Sequence, residues 1–278
     1  MKFGFNINLK NSPDEIIQLG EKELSTGNFQ AVEITYHENL DGIDTFPYNK
    51  ALHEIVDKYT PQVTVHISNF DAAEQNTTIR SAILHEFYEC CQYVHSFGGS
   101  EIIMHNGFIR RNLRAPLVDN DGNTDIKAET KECWELAVNM LQMCCDLAKE
   151  KNINVYTENL GKGCLTPGAD ELCRFVQDVG RDNLGVVFDI GHSHLLGEKA
   201  DDEVYHYGEL LKHLHLHDNH GTVDEHLPIG EGNIDFPPFL KTLIKVNYHG
   251  LYMMEIAHAT PEKLEKSRAH LLEMMQHA

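Results

Sequence analysis

The stretch that decides the fold is HLHLHDNHGTVDEHLPIGEGNIDF, residues 213–236. Its first residues alternate, so that His213, His215 and His217 share one face of a predicted strand. An Asp-x-His pair follows in a loop that ends in glycines. Imidazole and carboxylate groups together suit Zn, Mn, Fe or Co, although a polar strand end and a solvated loop would also tolerate them. The stretch therefore predicts a strand whose end carries metal ligands.

Composition limits the class of protein. The chain has 278 residues, 41% of them hydrophobic, with 23 Lys and Arg against 43 Asp and Glu and a formal charge of −20. That charge disfavours nucleic acid and acidic membranes as partners, without excluding nucleic acid. No apolar run has the length of a membrane span, and the N-terminus carries no secretory signal. The seven cysteines form no C-x-x-C and fit reduced thiols, so we expect a cytoplasmic protein.

Short apolar segments alternate with helical patterns along the chain. Segments 77–97 and 127–151 repeat apolar residues at steps of three and four, which is typical of helices. The apolar segments are near-continuous runs, as expected for strands that are covered on both faces. The predicted strands are Lys2–Ile7, Ala31–Thr35, Gln62–Ile67, Glu101–His105, Ile153–Glu158, Leu184–Asp189, Lys212–His217 and Leu251–Ile256. Eight such units predict an α/β fold, a single (β/α)8 TIM barrel in which residues 1–278 form one domain.

Residues of ligand type follow the third to eighth predicted strands, where the active sites of such barrels lie. Charged groups are rarely buried unpaired, so six successive strands with such ends favour a metal site over isolated polar residues. His213 is interpreted as interior packing or as support for a ligand, and His217 as a contact to substrate or to Asp218. The candidates are His66, His105, Glu158, Asp189, His192, His215, Asp224, His226 and Glu255.

As a set, HLHLHD, VDEHLPIGEGNIDF, VFDIGH and the two strand ends in Glu resemble the xylose isomerase-like TIM barrels. That superfamily includes sugar epimerases and isomerases, inositol-catabolic dehydratases and endonuclease IV, and the resemblance covers nearly the whole chain. It implies that His192 contacts substrate or metal beside the main site. It also implies that one divalent metal is held, as in the epimerase branch, by Glu158, Asp189, His215 and Glu255. The further ligands of the three-zinc cluster of endonuclease IV are matched by His66, His105, Asp224 and His226.

Two functions fit this ligand set. The first is a metal-dependent isomerase or epimerase that acts on a sugar or sugar phosphate through an enediolate, with Glu158 and Glu255 as the catalytic carboxylates. Zn or Mn is the favoured ion, with Co, Mg or Fe as alternatives. The second is an endonuclease IV-like zinc phosphodiesterase that acts on abasic DNA. Dehydratase chemistry on a keto-polyol would use the same site, whereas a complete ligand set disfavours a barrel that only binds its ligand.

The surrounding loops favour the sugar enzyme. The loop after the second strand, YHENLDGIDTF, is acidic and has no Lys or Arg, whereas DNA-reading loops need cations or wedging side chains. Phe70 is a candidate apolar wall for a sugar. Arg110, Arg111 and Arg114, in the long loop after the fourth strand, could bind the phosphate of a sugar, a DNA backbone or only water. The sequence is compatible with a homo-oligomer.

Overall fold

A computed structural model describes residues 1–36, 44–67, 70–109 and 126–277 of the chain. Eight parallel strands pair in chain order, and the first also pairs with the last, so the sheet closes into a barrel. The strands are β1 (Lys2–Ile7), β2 (Ala31–Thr35), β3 (Gln62–Ile67), β4 (Glu101–Met104), β5 (Asn154–Glu158), β6 (Leu184–Asp189), β7 (Leu211–Leu216) and β8 (Leu251–Met254). The predicted (β/α)8 barrel is confirmed.

Helices follow the strands and cover the barrel from outside. They are α1 (Pro13–Leu19), which continues as a π-helix (Gly20–Leu24), α2 (Phe46–Tyr59), α3 (Thr77–Ser96), α4 (Ile126–Glu150), α5 (Ala169–Val179), α6 (Ile190–Leu196), α7 (Ala200–Tyr207), a short 3-10 turn (Gly208–Leu210), α8 (Phe236–Lys245) and α9 (Pro261–Gln276). Local signals begin several of them: Thr260 caps α9 with Pro261 in its first turn, and Ser12 forms a capping box with Glu15. No helix among the described residues is long and apolar enough to cross a membrane.

The predicted strand bounds differ from the observed ones by no more than two residues. The differences matter at two strands that end in a candidate ligand. His105 lies one residue beyond the end of β4, and Glu255 one residue beyond β8, because the last residues paired with neighbouring strands are Met104 and Met254. Both side chains therefore stand at the rim of the barrel, where the backbone leaves the sheet.

Alternation along the strands separates two environments. Outward residues such as Val155 and Phe188 join the main hydrophobic core under the helices, where Phe188 packs 5.7 Å from the ring of Phe239. Below the mouth, inward residues form two small apolar clusters, Ala31–Leu251–Met253 and Ile103–Tyr156–Val187. Next along the same inward rows come the polar side chains of the carboxyl mouth, so an apolar layer lies directly beneath them.

Candidate metal centre

Four candidate ligands come from four consecutive strands and meet at one point. Glu158 and Asp189 end β5 and β6, His215 lies within β7, and Glu255 follows β8. The Nδ1 atom of His215 lies 3.2 Å from Oε2 of Glu158, 3.2 Å from Oε2 of Glu255 and 3.9 Å from Oδ2 of Asp189. Asp189 also caps α6, since its Oδ1 accepts a hydrogen bond of 2.8 Å from the backbone N–H of His192. The cap fixes the direction in which this carboxylate points.

The carboxylates of this group stay ionised although they are buried. Burial would raise the pKa of Glu158, but the neighbouring His215, His105 and His66 lower it to about 2. Burial opposes ionisation of Asp189 as well, and His192 and His217 hold its pKa well below the ordinary range. Within the described part of the chain, the ion pairs of these carboxylates are all with histidines. Positive charge at this point would therefore be strongly stabilised.

Several buried atoms at this point have no hydrogen-bond partner within the described structure. They include Oε2 of Glu158, Nε2 of His66 and Nδ1 of His215. Buried polar atoms are rarely left unpaired, and these are nitrogen and oxygen donors of the kind that Zn and Mn prefer. In two groups, Glu158–Asp189–His215 and His66–His105–Glu158, the ligand atoms lie within 4.8 Å of one another. The donor set therefore fits one or more divalent ions.

A second group lies beside the first on the loop after β7. Oδ2 of Asp224 lies 2.8 Å from Nε2 of His226 and 3.3 Å from Nε2 of His192. Burial works against the charged form of His226, but Asp224 and Glu255 raise the pKa of the imidazole to about 9. The backbone of His226 has a φ of 49°, which is unusual for a residue with a side chain and places its Nδ1 2.9 Å from the carbonyl oxygen of Glu255. The loop is thus built around this cluster.

His217 does not contact Asp218, which was one of its two expected partners. Its Nε2 lies 3.1 Å from both carboxylate oxygens of Asp189, and its ring stacks on that of His226 at 4.0 Å. Asp218 turns instead toward the loop, where it accepts hydrogen bonds from the backbone of Asn219, Gly230 and Ile234. His217 therefore connects the two groups, and Asp218 shapes the loop that carries the second.

One buried carboxylate near the centre was not among the predicted residues. Glu33, in β2, is completely buried, with Oε1 3.1 Å from Nε2 of His215 and Oε2 3.3 Å from Nε2 of His213. The hydroxyl of Thr64 donates to Oε2 at 3.1 Å. The available signal was the single acid in the apolar segment AVEIT, but the strand does not end in a ligand-type residue. His213 takes the interior supporting place expected of it.

The predicted substrate contacts are less well defined. Phe70 is 8% exposed and belongs to the main hydrophobic core, so its role as a wall for a sugar stays a prediction. Its neighbour Asp71 joins the segments that follow β3 and β4, because its Oδ1 accepts hydrogen bonds from the backbone N–H groups of Ala73 and Phe108. The basic cluster of Arg110, Arg111 and Arg114 lies outside the described residues.

Comparison with known proteins gives matches along nearly the whole chain. Residues 22–276 match the family model described as xylose isomerase-like TIM barrel. An uncharacterized protein of Methanocaldococcus jannaschii, MJ1311, is 28% identical over 268 residues, covering 92% of this chain and 83% of the relative. A solved D-tagatose 3-epimerase-like protein superposes with a TM-score of 0.78 at 24% identity, covering 99% of this chain and 97% of the other. The IolI protein, solved with a bound zinc atom, superposes with a TM-score of 0.75 at 16% identity over 100% and 99% of the two chains. At these identities, the two structures establish likeness of fold.

Proposed function

The chain belongs to the xylose isomerase-like TIM barrel family, and from that premise we propose that it is a divalent-metal-dependent isomerase or epimerase of a sugar or sugar phosphate. One observation carries the proposal: carboxylate oxygens of Glu158 and Glu255 lie at the same distance, 3.2 Å, from one ring nitrogen of His215. Two carboxylates from separated strands thus converge on one point together with a nitrogen donor. The likeness of fold to an epimerase-like protein supports the same conclusion.

Four residues would hold the ion: Glu158, Asp189, His215 and Glu255. When bound, a divalent ion would polarise the carbonyl group of the sugar and stabilise the enediolate that forms on loss of the neighbouring proton. Zn or Mn suits this mixture of imidazole and carboxylate ligands best, and Co, Mg or Fe would be alternatives. The zinc atom described for the IolI protein is consistent with that preference.

Proton transfer is assigned to the two glutamates. In the folded protein the pKa of each is lowered despite burial, chiefly by His215, so both carboxylates can accept a proton at neutral pH. One would take the proton from the carbon next to the carbonyl, and the electron pair of that C–H bond would become part of the enediolate. In epimerisation the other glutamate, once it has taken up a proton from solvent, would deliver that proton to the opposite face of the same carbon, and the first glutamate would release its proton to solvent.

The second candidate function is hydrolysis of a phosphodiester in abasic DNA. The observation in its favour is the closeness of the further ligands, with Nε2 of His105 3.6 Å from Oε1 of Glu158 and His192 3.3 Å from Asp224. A nuclease must also hold a duplex and expose the lesion, which needs phosphate contacts and wedging side chains. The charge of −20 opposes that requirement, so we rank this function second.

The test is proton exchange between the sugar and the solvent. The protein, loaded in turn with Zn and with Mn, is incubated in D2O with a panel of ketoses and ketose phosphates, and NMR follows deuterium entering the carbon next to the carbonyl. We expect exchange with at least one sugar, lost in Glu158→Gln and in Glu255→Gln. The control is Glu23→Gln, the same chemical change at a carboxyl that is 2% exposed and lies against Glu265 of α9 rather than at the mouth.

Two results would count against the proposal. Exchange that is unchanged by both glutamate variants would remove them from the chemistry. Robust metal-dependent incision of an abasic oligonucleotide, lost in Asp224→Ala or His226→Ala, would reverse the ranking of the two functions.

A further inference from the structure

Glu33 is a carboxylate placed beneath the proposed metal centre, inside the barrel. It has no exposure to solvent, and its Oε2 accepts the hydroxyl hydrogen of Thr64 at 3.1 Å. Three ring nitrogens of described residues also lie close to its carboxylate oxygens: Nε2 of His215 at 3.1 Å, Nε2 of His213 at 3.3 Å and Nδ1 of His66 at 3.7 Å. One carboxylate thus faces three imidazoles at once, and removal of its charge would affect all of them.

The ring of His215 lies between Glu33 and the proposed centre. Its Nε2 faces Glu33, whereas its Nδ1 faces Glu158 and Glu255 on the other side. Nε2 of His215 and Oε1 of Glu33 are both buried, and neither has a hydrogen-bond partner among the described residues, although the two atoms lie 3.1 Å apart. Any proton on Nε2 therefore has this carboxylate as its nearest acceptor.

Imidazole chemistry makes the two sides of this ring interdependent. A neutral imidazole carries one N–H and one lone pair, and only the lone pair binds a metal ion. An ionised carboxylate accepts hydrogen bonds and donates none, so it favours a proton on the nitrogen that faces it. We propose that Glu33 is a positioning residue that holds the proton of His215 on Nε2 and thereby presents the Nδ1 lone pair to the ion. This inference rests on the proposed metal centre.

Glu33 supports the centre without binding the same ion. It lies on the opposite side of the His215 ring from Glu158, Glu255 and Asp189, so its oxygens do not reach the point where those ligands converge. A separate ion between Glu33, His66 and His215 would require His215 to lose both ring protons and bridge two metals. A proton on Nε2 satisfies the same buried atoms without that cost.

The first experiment reads the position of the proton directly. Protein with 15N-labelled histidines is titrated with Zn, which is diamagnetic, and nitrogen NMR assigns the protonated ring atom of His215. We expect Nε2–H in the zinc-bound wild-type protein. A zinc-bound Nδ1–H form would overturn the proposal, and this measurement needs no variant to fold.

The second experiment measures what the proton position does for the ion. Loss of an outer partner of a metal-bound histidine costs about 10–100-fold in metal affinity. We therefore expect Glu33→Gln to weaken zinc binding by that factor, with unchanged stoichiometry and a mixture of His215 tautomers. Thr64→Val keeps the charge of Glu33 and removes the hydrogen bond that orients it, so a smaller loss is expected. The control Glu23→Gln should bind zinc as the wild type does.

The outcomes separate this inference from the proposed function. Unchanged zinc affinity and an unchanged His215 tautomer in Glu33→Gln would overturn the positioning role. Loss of one whole equivalent of zinc, with the remaining affinity unchanged, would make Glu33 a ligand of a second ion and would also overturn it. Because neither readout involves a sugar, failure to find a substrate would leave the positioning result standing and would count against the proposed function alone.

Discussion

Replacement of Glu158 by Gln tests the proposed centre most sharply. The carboxylate lies within reach of four imidazoles, with its oxygens 3.2 Å from Nδ1 of His215, 3.5 Å from Nδ1 of His192, 3.6 Å from Nε2 of His105 and 3.9 Å from Nε2 of His66. Glutamine has nearly the same shape, so the fold should survive. However, glutamine is neutral, and its amide would replace the carboxylate that two candidate groups of ligands share.

Two magnitudes follow. A positioned general base contributes about 10²–10⁴-fold to a rate, so we expect turnover to fall by at least that factor in Glu158→Gln. An ion at about 100 times its Kd stabilises the folded protein by about 2.7 kcal/mol. With an unfolding entropy of about 2.1 cal/mol/K per residue, a chain of this size should gain roughly 5 °C in Tm on binding the ion. The variant should lose most of that gain.

The assay is a melting curve of chelator-treated protein with and without added Zn or Mn, together with deuterium exchange into the sugar. The control Glu23→Gln changes a buried carboxyl outside the centre and should keep both the metal-dependent gain in Tm and the exchange. Near-normal exchange in Glu158→Gln, with the gain in Tm intact, would refute the reasoning that this residue is both a ligand and a base.

Three further predictions concern other parts of the structure. Asp224→Ala and His226→Ala should reduce deuterium exchange less than the glutamate variants do, because one ion at the main centre suffices for an enediolate; an equal or greater loss in the same assay would contradict the assignment. Gly191→Ala should weaken metal binding, because the added methyl group would overlap the ring of His217, which contacts both oxygens of Asp189; unchanged zinc affinity would show that the ring moves freely. The free energy of unfolding of the metal-free protein should fall between pH 4.5 and about 7. Burial and the neighbouring Glu265 raise the pKa of Glu23 to about 7, so in this range the unfolded chain has released the carboxyl proton of Glu23 while the folded chain still holds it. Denaturant unfolding at several pH values should show a smaller fall in the free energy of unfolding for Glu23→Gln than for the wild type. An identical dependence on pH in the two proteins would exclude the effect.

The barrel was predictable because parallel strands covered on both faces leave clear apolar runs, and those runs gave the strand bounds to within two residues. The candidate ligands at the ends of β3 to β8 were also predictable, since a His, Asp or Glu at the end of such a run is expected at the mouth of the barrel. Glu33 was not, because it lies in the middle of a strand whose two faces are both buried. Nothing in AVEIT tells inward from outward, and only the neighbouring strands bring Glu33 to His213 and His215.

The partner of His217 was unpredictable for a related reason. Alternation assigned His217 to the same face as His215. The residues that it contacts, however, depend on the register between neighbouring strands. The residue of β6 beside His215 is Asp189, and this register places the Asp189 carboxylate within 3.1 Å of the next histidine up the strand. Registers between strands that are distant in sequence are set by barrel closure, which a local pattern does not contain.

The four proposed ligands of the main centre lie on or directly after β5 to β8, and Glu255 comes last along the chain. Chains fold as they leave the ribosome, with the amino-terminal part available first. During synthesis, Glu33 and the further candidate ligands His66 and His105 therefore emerge before the four ligands of the main centre. The growing polypeptide cannot complete the centre until β8 has been made and has paired with β1, so only chains whose barrel has closed would bind the ion at the full set of ligands.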